Sequence, residues 1–295
     1  MKKNFALIGY GSWGKKVSEE IKINKNFNLK YIVSKSVKQN NKDTKFYKNL
    51  NEILSFKKID CIYVAKNPKT NFETLNELKY KKIPIILEKP ISSSTLNCNK
   101  IINLIHKYQI KVFTNLPNIH ADTYDFSKKF ISNNKNEIEK IIIHEGDFGP
   151  KNINIHPILD WGIHPISYLF NILGVENLYN IRHKEIIGFK KDGYGLSRFD
   201  LDFNNKFSIK IITGNSFKKK IRLLKIILKN GDIFINDFIN HQIWKNYKLI
   251  LKSKSSPLQN LLNKFAHSIE FEDYQGGIEE IYNSYDSIKV IEKFI

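Results

Sequence analysis

Sulfur-containing residues and long apolar stretches are the scarcest features of this 295-residue sequence, which has one methionine and two cysteines. Neither Cys61 nor Cys98 stands in a Cys-x-x-Cys or Cys/His spacing, so a disulfide scaffold and a structural zinc site are disfavoured. No apolar run approaches the ~18 residues of a membrane-spanning helix. We therefore expect a cytoplasmic protein that uses neither a membrane span nor a metal ion.

Acidic residues are also few, 29 against 48 basic ones, which gives a formal net charge of +19. A basic surface attracts polyanions, so nucleic-acid binding is one interpretation, and it predicts a steeply salt-dependent affinity for DNA. The lysines, however, are spread through nearly every segment, and the densest clusters, at 218–220 and 81–82, are short. Because short charged runs are typically solvated faces, we expect no specific nucleic-acid partner.

Glycines near the start of the chain follow an apolar run at 5–8 and precede a helical pattern at 15–23. The run is long enough for a buried strand and too short for a helix. In such a unit the glycines form a tight turn, let the backbone approach a pyrophosphate and let helix and strand pack closely, while the helix N-terminus faces the phosphates. A surface turn is the alternative, but this context favours a dinucleotide site. The candidate cofactor-binding residues of the turn are Gly9, Gly11, Ser12, Trp13 and Gly14.

Strands and helical patterns alternate up to residue 118, with further strand patterns at 28–34, 59–65, 83–87 and 111–114. This alternation predicts an α/β fold in which residues 1–118 form an N-terminal NAD(P)-binding Rossmann domain with a doubly wound parallel sheet. Open parallel sheets bind ligands at the carboxyl ends of their strands. Residues at those ends that are candidate cofactor contacts are Ala65, Asn67 and Glu88.

The end of the second strand predicts which dinucleotide is bound. A residue about 20 positions beyond the glycines meets the adenosine ribose, and counting from Gly14 reaches Ser34. NAD binders usually carry Asp or Glu there, whereas this chain has Ser34 and Lys35, with Lys38 nearby. A hydroxyl and cations suit a 2′-phosphate better, so we favour NADP over NAD. The alternative is that Lys35 and Lys38 are merely exposed residues of a lysine-rich loop.

After residue 118 the pattern changes, and it predicts that residues 119–295 form a C-terminal α+β domain with a largely antiparallel sheet. The segment at 175–252 has successive strand patterns, and Asn230-Gly231 is a strong hairpin signal. An apolar helix ends at Gly174. We place its start at Pro165, with residues 160–164 as a loop, because the residue before a proline avoids the helical region.

Three residues are candidates for catalysis. Lys89 follows a strand on the nucleotide-facing side, where a lysine can donate to a substrate oxygen and stabilise negative charge. His164 has a side chain suited to exchanging an alcohol proton near neutrality, and the carboxylate of Asp160 can orient it. From the residues alone, Lys89 is one lysine among many, and a histidine that lines a core helix is the simpler interpretation of His164.

Three stretches of the sequence resemble, in this order, the Gfo/Idh/MocA family (glucose-fructose oxidoreductase, inositol dehydrogenase, rhizopine catabolism): IGYGSWGKKV, IYVAKNPKTNFETLNELKYKKIPIILEKPIS and LDWGIHPISYLFNILG. A later segment, PLQNLLNKF, is similar to the family's late Pro-Leu helix. The resemblance implies an NAD(P)-dependent oxidoreductase acting on a secondary alcohol or ketone of a sugar, sugar derivative or polyol. It also implies that Lys89 contacts the reacting hydroxyl, that His164 with Asp160 exchanges its proton, and that subunits assemble through the C-terminal sheet.

The sequence departs from the family pattern at two places in the middle stretch. Lys66 and Asn67 stand where Thr-Pro is common, and Asn71 stands where His is frequent. A different class of function, a non-catalytic Rossmann sensor that binds NAD(P) without turnover, remains as the alternative. The joint presence of Lys89, Asp160 and His164 favours the enzyme, because a sensor has no need for all three.

Overall fold

The computed structural model describes residues 1–35, 43–55, 58–149, 155–174, 179–187, 198–204 and 207–295. Lys38 therefore lies outside the described residues. None of the described helices combines the length and apolarity needed to cross a bilayer. The chain divides into two compact units, the first made of Met1–Asn115 and Leu258–Tyr285 and the second of Leu116–Pro257 and Asp286–Ile295.

The first unit is built on six strands, all of which pair in parallel. The strands are β1 (Lys3–Ile8), β2 (Phe27–Val33), β3 (Lys45–Tyr47), β4 (Cys61–Val64), β5 (Ile85–Glu88) and β6 (Val112–Asn115). The helices between them are α1 (Ser12–Ile23), α2 (Asn51–Leu54), α3 (Asn71–Leu78) and α4 (Thr95–Tyr108), with a 3-10 turn at Pro68–Thr70. The spatial order β3-β2-β1-β4-β5-β6 reverses direction between β1 and β4, the position at which open α/β sheets bind ligands. The predicted doubly wound parallel sheet is confirmed.

Two late helices, α8 (Pro257–Phe271) and α9 (Gln275–Ile291), contribute most of their length to the first unit. The sequence-based division at residue 118 grouped this segment with the second domain. In the structure, Leu261, Leu262 and Phe265 of α8 pack into the same buried cluster as strand residues such as Phe5 and Phe113. Parallel sheets are covered on both faces, and the apolar stripe of α8 supplies part of that cover.

The second unit contains an eight-stranded sheet and the helices α5 (Pro117–His120), α6 (Asp122–Asn133) and α7 (Pro157–Leu173). Its strands are β7 (Ile138–Phe148), β8 (Tyr179–Ile187), β9 (Arg198–Asn204), β10 (Ser208–Gly214), β11 (Ser216–Leu228), β12 (Ile233–Asp237), β13 (Gln242–Lys245) and β14 (Lys248–Lys252), and their order is β14-β13-β12-β11-β7-β10-β9-β8. Only β7 and β10 pair in parallel; the other described neighbours are antiparallel. The predicted largely antiparallel sheet is confirmed.

The hairpin predicted at Asn230-Gly231 joins β11 to β12. Gly231 has a φ of +86°, which favours glycine because a side chain there would meet its own backbone. Its N–H donates to the carbonyl of Leu228 at 2.9 Å, which closes the turn.

Helix α7 begins eight residues earlier than predicted, so the loop predicted at 160–164 is wrong. Pro157 takes the first helical position, the Nδ1 of His156 accepts from the N–H of Ile158 at 3.4 Å, and Pro165 lies inside the helix. A proline at that position removes one helical hydrogen bond, at a cost of about 3 kcal/mol. The helix is buried around nearly its whole circumference against β7 and β10, and this packing outweighs the local preference.

Candidate functional site

The glycine turn after β1 is held by two very close backbone approaches. A Cβ on Gly9 would lie 2.2 Å from the carbonyl oxygen of Ala65 at the end of β4, and Gly9 has a φ of +97°. A Cβ on Gly14 would lie 2.3 Å from the carbonyl oxygen of Gly9. Both positions therefore require glycine, because β1, β4 and α1 meet there with no room for a side chain.

Gly11 differs from Gly9 and Gly14, because nothing described lies within 4 Å of the position that its Cβ would take. It is the residue that precedes α1, and no side chain caps this helix. The first turn of α1 contains no acidic residue, and its first N–H groups have no partners within the helix. The exposed Ser12 begins the helix. Backbone N–H donors beside the open space at Gly11 form a cradle that suits a phosphate group. These residues therefore fit a dinucleotide.

A polar cluster lies at the carboxyl edge of the sheet, around the buried side chain of Glu88. Its Oε1 accepts hydrogen bonds from the Trp13 indole N–H, the Tyr63 hydroxyl and, at 2.8 Å, the Asn115 amide. Asn115 also donates to the Tyr63 hydroxyl oxygen at 2.9 Å. Glu88 and Asn115 are register partners at the ends of β5 and β6. The cluster therefore links the first turn of α1 to three strand ends.

Burial dominates the electrostatics of this cluster. It raises the pKa of the Glu88 carboxyl above its ordinary value, while hydrogen bonds from Tyr63, Asn115 and Trp13 and the nearby Lys89 charge oppose the shift. Burial also raises the pKa of the Tyr63 hydroxyl well above its usual range, and the Glu88 charge adds to that shift. A carboxylate kept out of water is held in place by donors because its desolvation is costly.

The other candidates of the first unit occupy strand ends and the loops that follow. Lys89 comes directly after β5, is half-buried, and its N–H donates to Glu88 Oε2 at 3.2 Å. The side chain of Asn67 accepts from the N–H of Lys69 at 3.0 Å and so caps the 3-10 turn. Ser34 and Lys35 follow β2, and the N–H of Ser34 donates to the carbonyl of Tyr47 at 2.9 Å. Lys35 is exposed, which leaves it accessible to a ligand.

The catalytic candidates of the second unit lie on α7. Asp160 and His164 are four residues apart in continuous helix, a spacing that puts two side chains on one face, one turn apart. Asp160 is half-buried and His164 is 2% exposed. The helix gives the pair a defined common face, whereas the predicted loop would not.

A buried ion pair supports the start of α7 from the sheet. Glu145 of β7 and Arg222 of β11 are register partners, and Arg222 Nε lies 3.0 Å from the fully buried Glu145 Oε1. The Asn118 amide donates to the other carboxylate oxygen at 3.3 Å. The Arg222 guanidinium carbon lies 5.4 Å from the ring centre of Trp161, which is next to Asp160 on α7. The cation therefore contacts α7 beside the candidate residue Asp160.

Four residues are missing from the sequence-based candidates. Tyr63 and Asn115 contact Glu88 in the first unit, and Glu145 and Arg222 form the ion pair beside Trp161 in the second. Tyr63 and Asn115 follow the rule that polar atoms at the carboxyl ends of parallel strands face a ligand site, so their positions carried a usable signal. Glu145 and Arg222 are brought together by strand register across a separation of 77 residues (222 − 145 = 77). No local pattern indicates such a pair.

Comparisons with known proteins agree with the first unit's architecture. Residues 3–116 match the model of an oxidoreductase family with an NAD-binding Rossmann fold, Gfo/Idh/MocA. A search among curated proteins gives no significant match.

Solved structures are similar over nearly the whole chain. A protein from Magnetospirillum magnetotacticum MS-1, described as an oxidoreductase, is 17% identical, with 99% of each chain covered and a TM-score of 0.84. A UDP-N-acetylglucosamine 3-dehydrogenase from Acidithiobacillus ferrooxidans is 11% identical, with 99% of this chain and 96% of that chain covered and a TM-score of 0.77. A myo-inositol dehydrogenase from Corynebacterium glutamicum ATCC 13032 is 15% identical, with the same coverage and a TM-score of 0.78. At these identities the likeness shows the fold.

We predict that Arg222→Leu destabilises the protein, because it removes the Arg222 cation from the fully buried Glu145 carboxylate. The expected loss in the free energy of unfolding is about 3 kcal/mol, measured from urea denaturation. The matched control is Lys245→Leu, which breaks the exposed pair with Asp232 and should change the midpoint little. Equal small effects of both substitutions would contradict the role given to the buried pair.

Proposed function

We propose, from the match of residues 3–116 to the model of the Gfo/Idh/MocA oxidoreductase family, that the protein transfers a hydride between NAD(P) and a secondary alcohol or ketone. The observation that carries the proposal is the open approach to Gly11 beside the uncapped N-terminus of α1. Gly9 and Gly14 are constrained by the protein's own backbone. Gly11 has no such constraint among the described residues, and a pyrophosphate is the ligand that its backbone fits best.

Each candidate residue has a role in this reaction. The dinucleotide, when bound, supplies the hydride acceptor or donor. The ammonium group of Lys89 donates to the substrate oxygen and stabilises the negative charge that develops there. The imidazole of His164 takes or gives the hydroxyl proton, and the Asp160 carboxylate, on the same helical face, orients it. The reaction needs no metal ion, because a positioned cation and a proton acceptor are enough.

The substrate class proposed is a sugar, sugar derivative or polyol. Support comes from the names of proteins with the same fold, which include a UDP-N-acetylglucosamine 3-dehydrogenase and a myo-inositol dehydrogenase. In both names the substrate is a polyhydroxylated ring. Such rings carry the secondary hydroxyl that the proposed roles of Lys89 and His164 require.

We favour NADP over NAD, because Ser34 and the exposed Lys35 follow β2 where a 2′-phosphate would need a hydroxyl and a cation. We also propose a cytoplasmic location, where dinucleotides are available and cysteines such as Cys61 stay reduced.

A homo-oligomer formed through the C-terminal sheet is part of the proposal. The sheet carries half-buried or exposed apolar side chains on β11 to β14, including Leu223, Ile235, Trp244, Leu249 and Ile250. Apolar surface of this kind is typical of an interface between subunits.

We predict that Lys89→Met and His164→Asn each lower kcat at least about 100-fold, while the Kd for the dinucleotide changes little. Turnover is measured as cofactor reduction with a panel of sugars and polyols, and binding by calorimetry. The matched controls are Lys100→Met and His267→Asn, which change exposed side chains. Both control variants should have the kcat of the wild type. If the wild type binds the dinucleotide tightly but none of the substrates tested leads to cofactor reduction, the result would favour the non-catalytic sensor.

We predict that Lys35→Ala raises the Kd for NADP⁺ about tenfold, since it removes one charge-assisted contact, and leaves the Kd for NAD⁺ nearly unchanged. The control is Lys48→Ala, which removes an exposed lysine just beyond β3. Calorimetric titrations at two ionic strengths measure both constants, and the NADP⁺ effect should be smaller at high salt. Equal weakening of both dinucleotides would count against NADP as the preferred cofactor.

A further inference from the structure

Glu88 contacts two parts of the proposed site that are far apart in sequence. Its Oε1 accepts from the indole N–H of Trp13, which lies in the first turn of α1, between Gly11 and Gly14. Its Oε2 accepts from the N–H of Lys89 at 3.2 Å. One carboxylate therefore joins the glycine turn to the backbone of the lysine that the proposed reaction uses.

Two buried hydrogen-bond donors on the neighbouring strands β4 and β6 fix the orientation of the Glu88 carboxylate. Tyr63 is fully buried at the end of β4, and Asn115 is nearly so at the end of β6. Asn115 bridges the Tyr63 hydroxyl and Glu88 Oε1, at 2.9 and 2.8 Å. With both donors anchored on strands, the carboxylate has little freedom to rotate away from Trp13.

Trp13 makes this contact from a partly open position. Its side chain is 40% exposed, with Lys16 Nζ 6.0 Å from the ring centre. Trp13 is not one of the residues of the buried core cluster, and its indole N–H donates to Glu88. Substituting Trp13 therefore tests the bond without removing a core side chain.

We propose that Glu88 is a positioning residue which, through Trp13, locks the glycine turn to the strand end that carries Lys89. Tyr63 and Asn115 hold Glu88 in the orientation that this contact needs. Dinucleotide binding at the glycine turn is then coupled, through Trp13 and Glu88, to the position of Lys89. This coupling rests on the proposed function, whereas the Trp13–Glu88 contact exists without any ligand.

The first experiment observes the contact in the ligand-free protein. The chain has three tryptophans, Trp13, Trp161 and Trp244, so a ¹⁵N-labelled sample gives three indole N–H signals, and Trp13→Phe identifies the one that belongs to Trp13. That signal should lie downfield, because the indole proton is hydrogen-bonded to a carboxylate, and it should move upfield in Glu88→Gln. The signals of Trp161 and Trp244 should stay in place.

A pH titration of the same signal tests the carboxylate directly. The titratable groups that face Glu88 are Tyr63 and Lys89, while Lys16 faces the Trp13 ring. Since burial raises the pKa of Glu88, the Trp13 signal should move at a pH above the ordinary carboxyl range and should not move there in Glu88→Gln. An indole signal at the free position, unaffected by Glu88→Gln, would overturn the proposal.

The second experiment is a double-mutant cycle on binding and turnover. Trp13→Phe and Glu88→Gln should each raise the dinucleotide Kd and lower kcat by about tenfold, and the double variant should lose no more than the larger single loss. Tyr63→Phe, which keeps the ring, should give a smaller loss in the same direction. Tyr80→Phe, at a side chain that is 73% exposed, is the control and should change neither constant.

The outcomes separate this inference from the proposed function. If the wild type binds no dinucleotide, the proposed function fails, yet the indole signal still tests the Trp13–Glu88 contact. If the wild type binds and turns over but the losses of Trp13→Phe and Glu88→Gln multiply to about 100-fold, the two residues act independently. The positioning role would then be wrong while the function stands.

Discussion

The first unit depends on the close approach of three backbone segments around Gly9. The end of β4 lies so near this glycine that no side chain fits between them, and Gly14 at the start of α1 is pressed against the Gly9 carbonyl in the same way. These contacts set where α1 begins and in which direction its N-terminus points. Gly11, which precedes the helix, is left with an open approach. The proposed phosphate cradle is thus a consequence of packing rather than of any polar side chain.

The same packing sets the polar chemistry at the sheet edge. Because α1 starts beside β4, Trp13 reaches Glu88 at the end of β5, and the strand ends of β4 and β6 supply the further donors Tyr63 and Asn115. In the second unit, sheet register plays the corresponding role. It sets Arg222 against Glu145 and places the guanidinium under Trp161, next to Asp160. In both arrangements a buried carboxylate meets a side chain from a neighbouring strand, Asn115 beside Glu88 and Arg222 beside Glu145.

Much of the fold could be predicted from the sequence, because each element has its own local signal. Apolar runs predicted the parallel strands, and Asn230-Gly231 predicted its hairpin. Local signals misled at α7, where the rule against a helical residue before Pro165 yielded to burial of the whole helix. They also could not show that α8 covers the parallel sheet, or that Glu145 meets Arg222, since both depend on contacts between residues far apart in the chain. The candidate residues were found by motif, whereas the hydrogen bonds of Tyr63 and Asn115 to Glu88 appear only when the strands are placed side by side.

A calorimetric titration of NADP⁺ and NAD⁺ into the wild type and into Gly11→Ala tests the phosphate cradle proposed at Gly11 most directly. Gly11 has a φ of −74° and nothing described near its Cβ position, so alanine should leave the denaturation midpoint unchanged. We predict that the wild type binds a dinucleotide and that Gly11→Ala binds it at least about tenfold more weakly, because the methyl group occupies the space proposed for the pyrophosphate. Equal binding by both proteins, or no binding by a folded wild type, would contradict it.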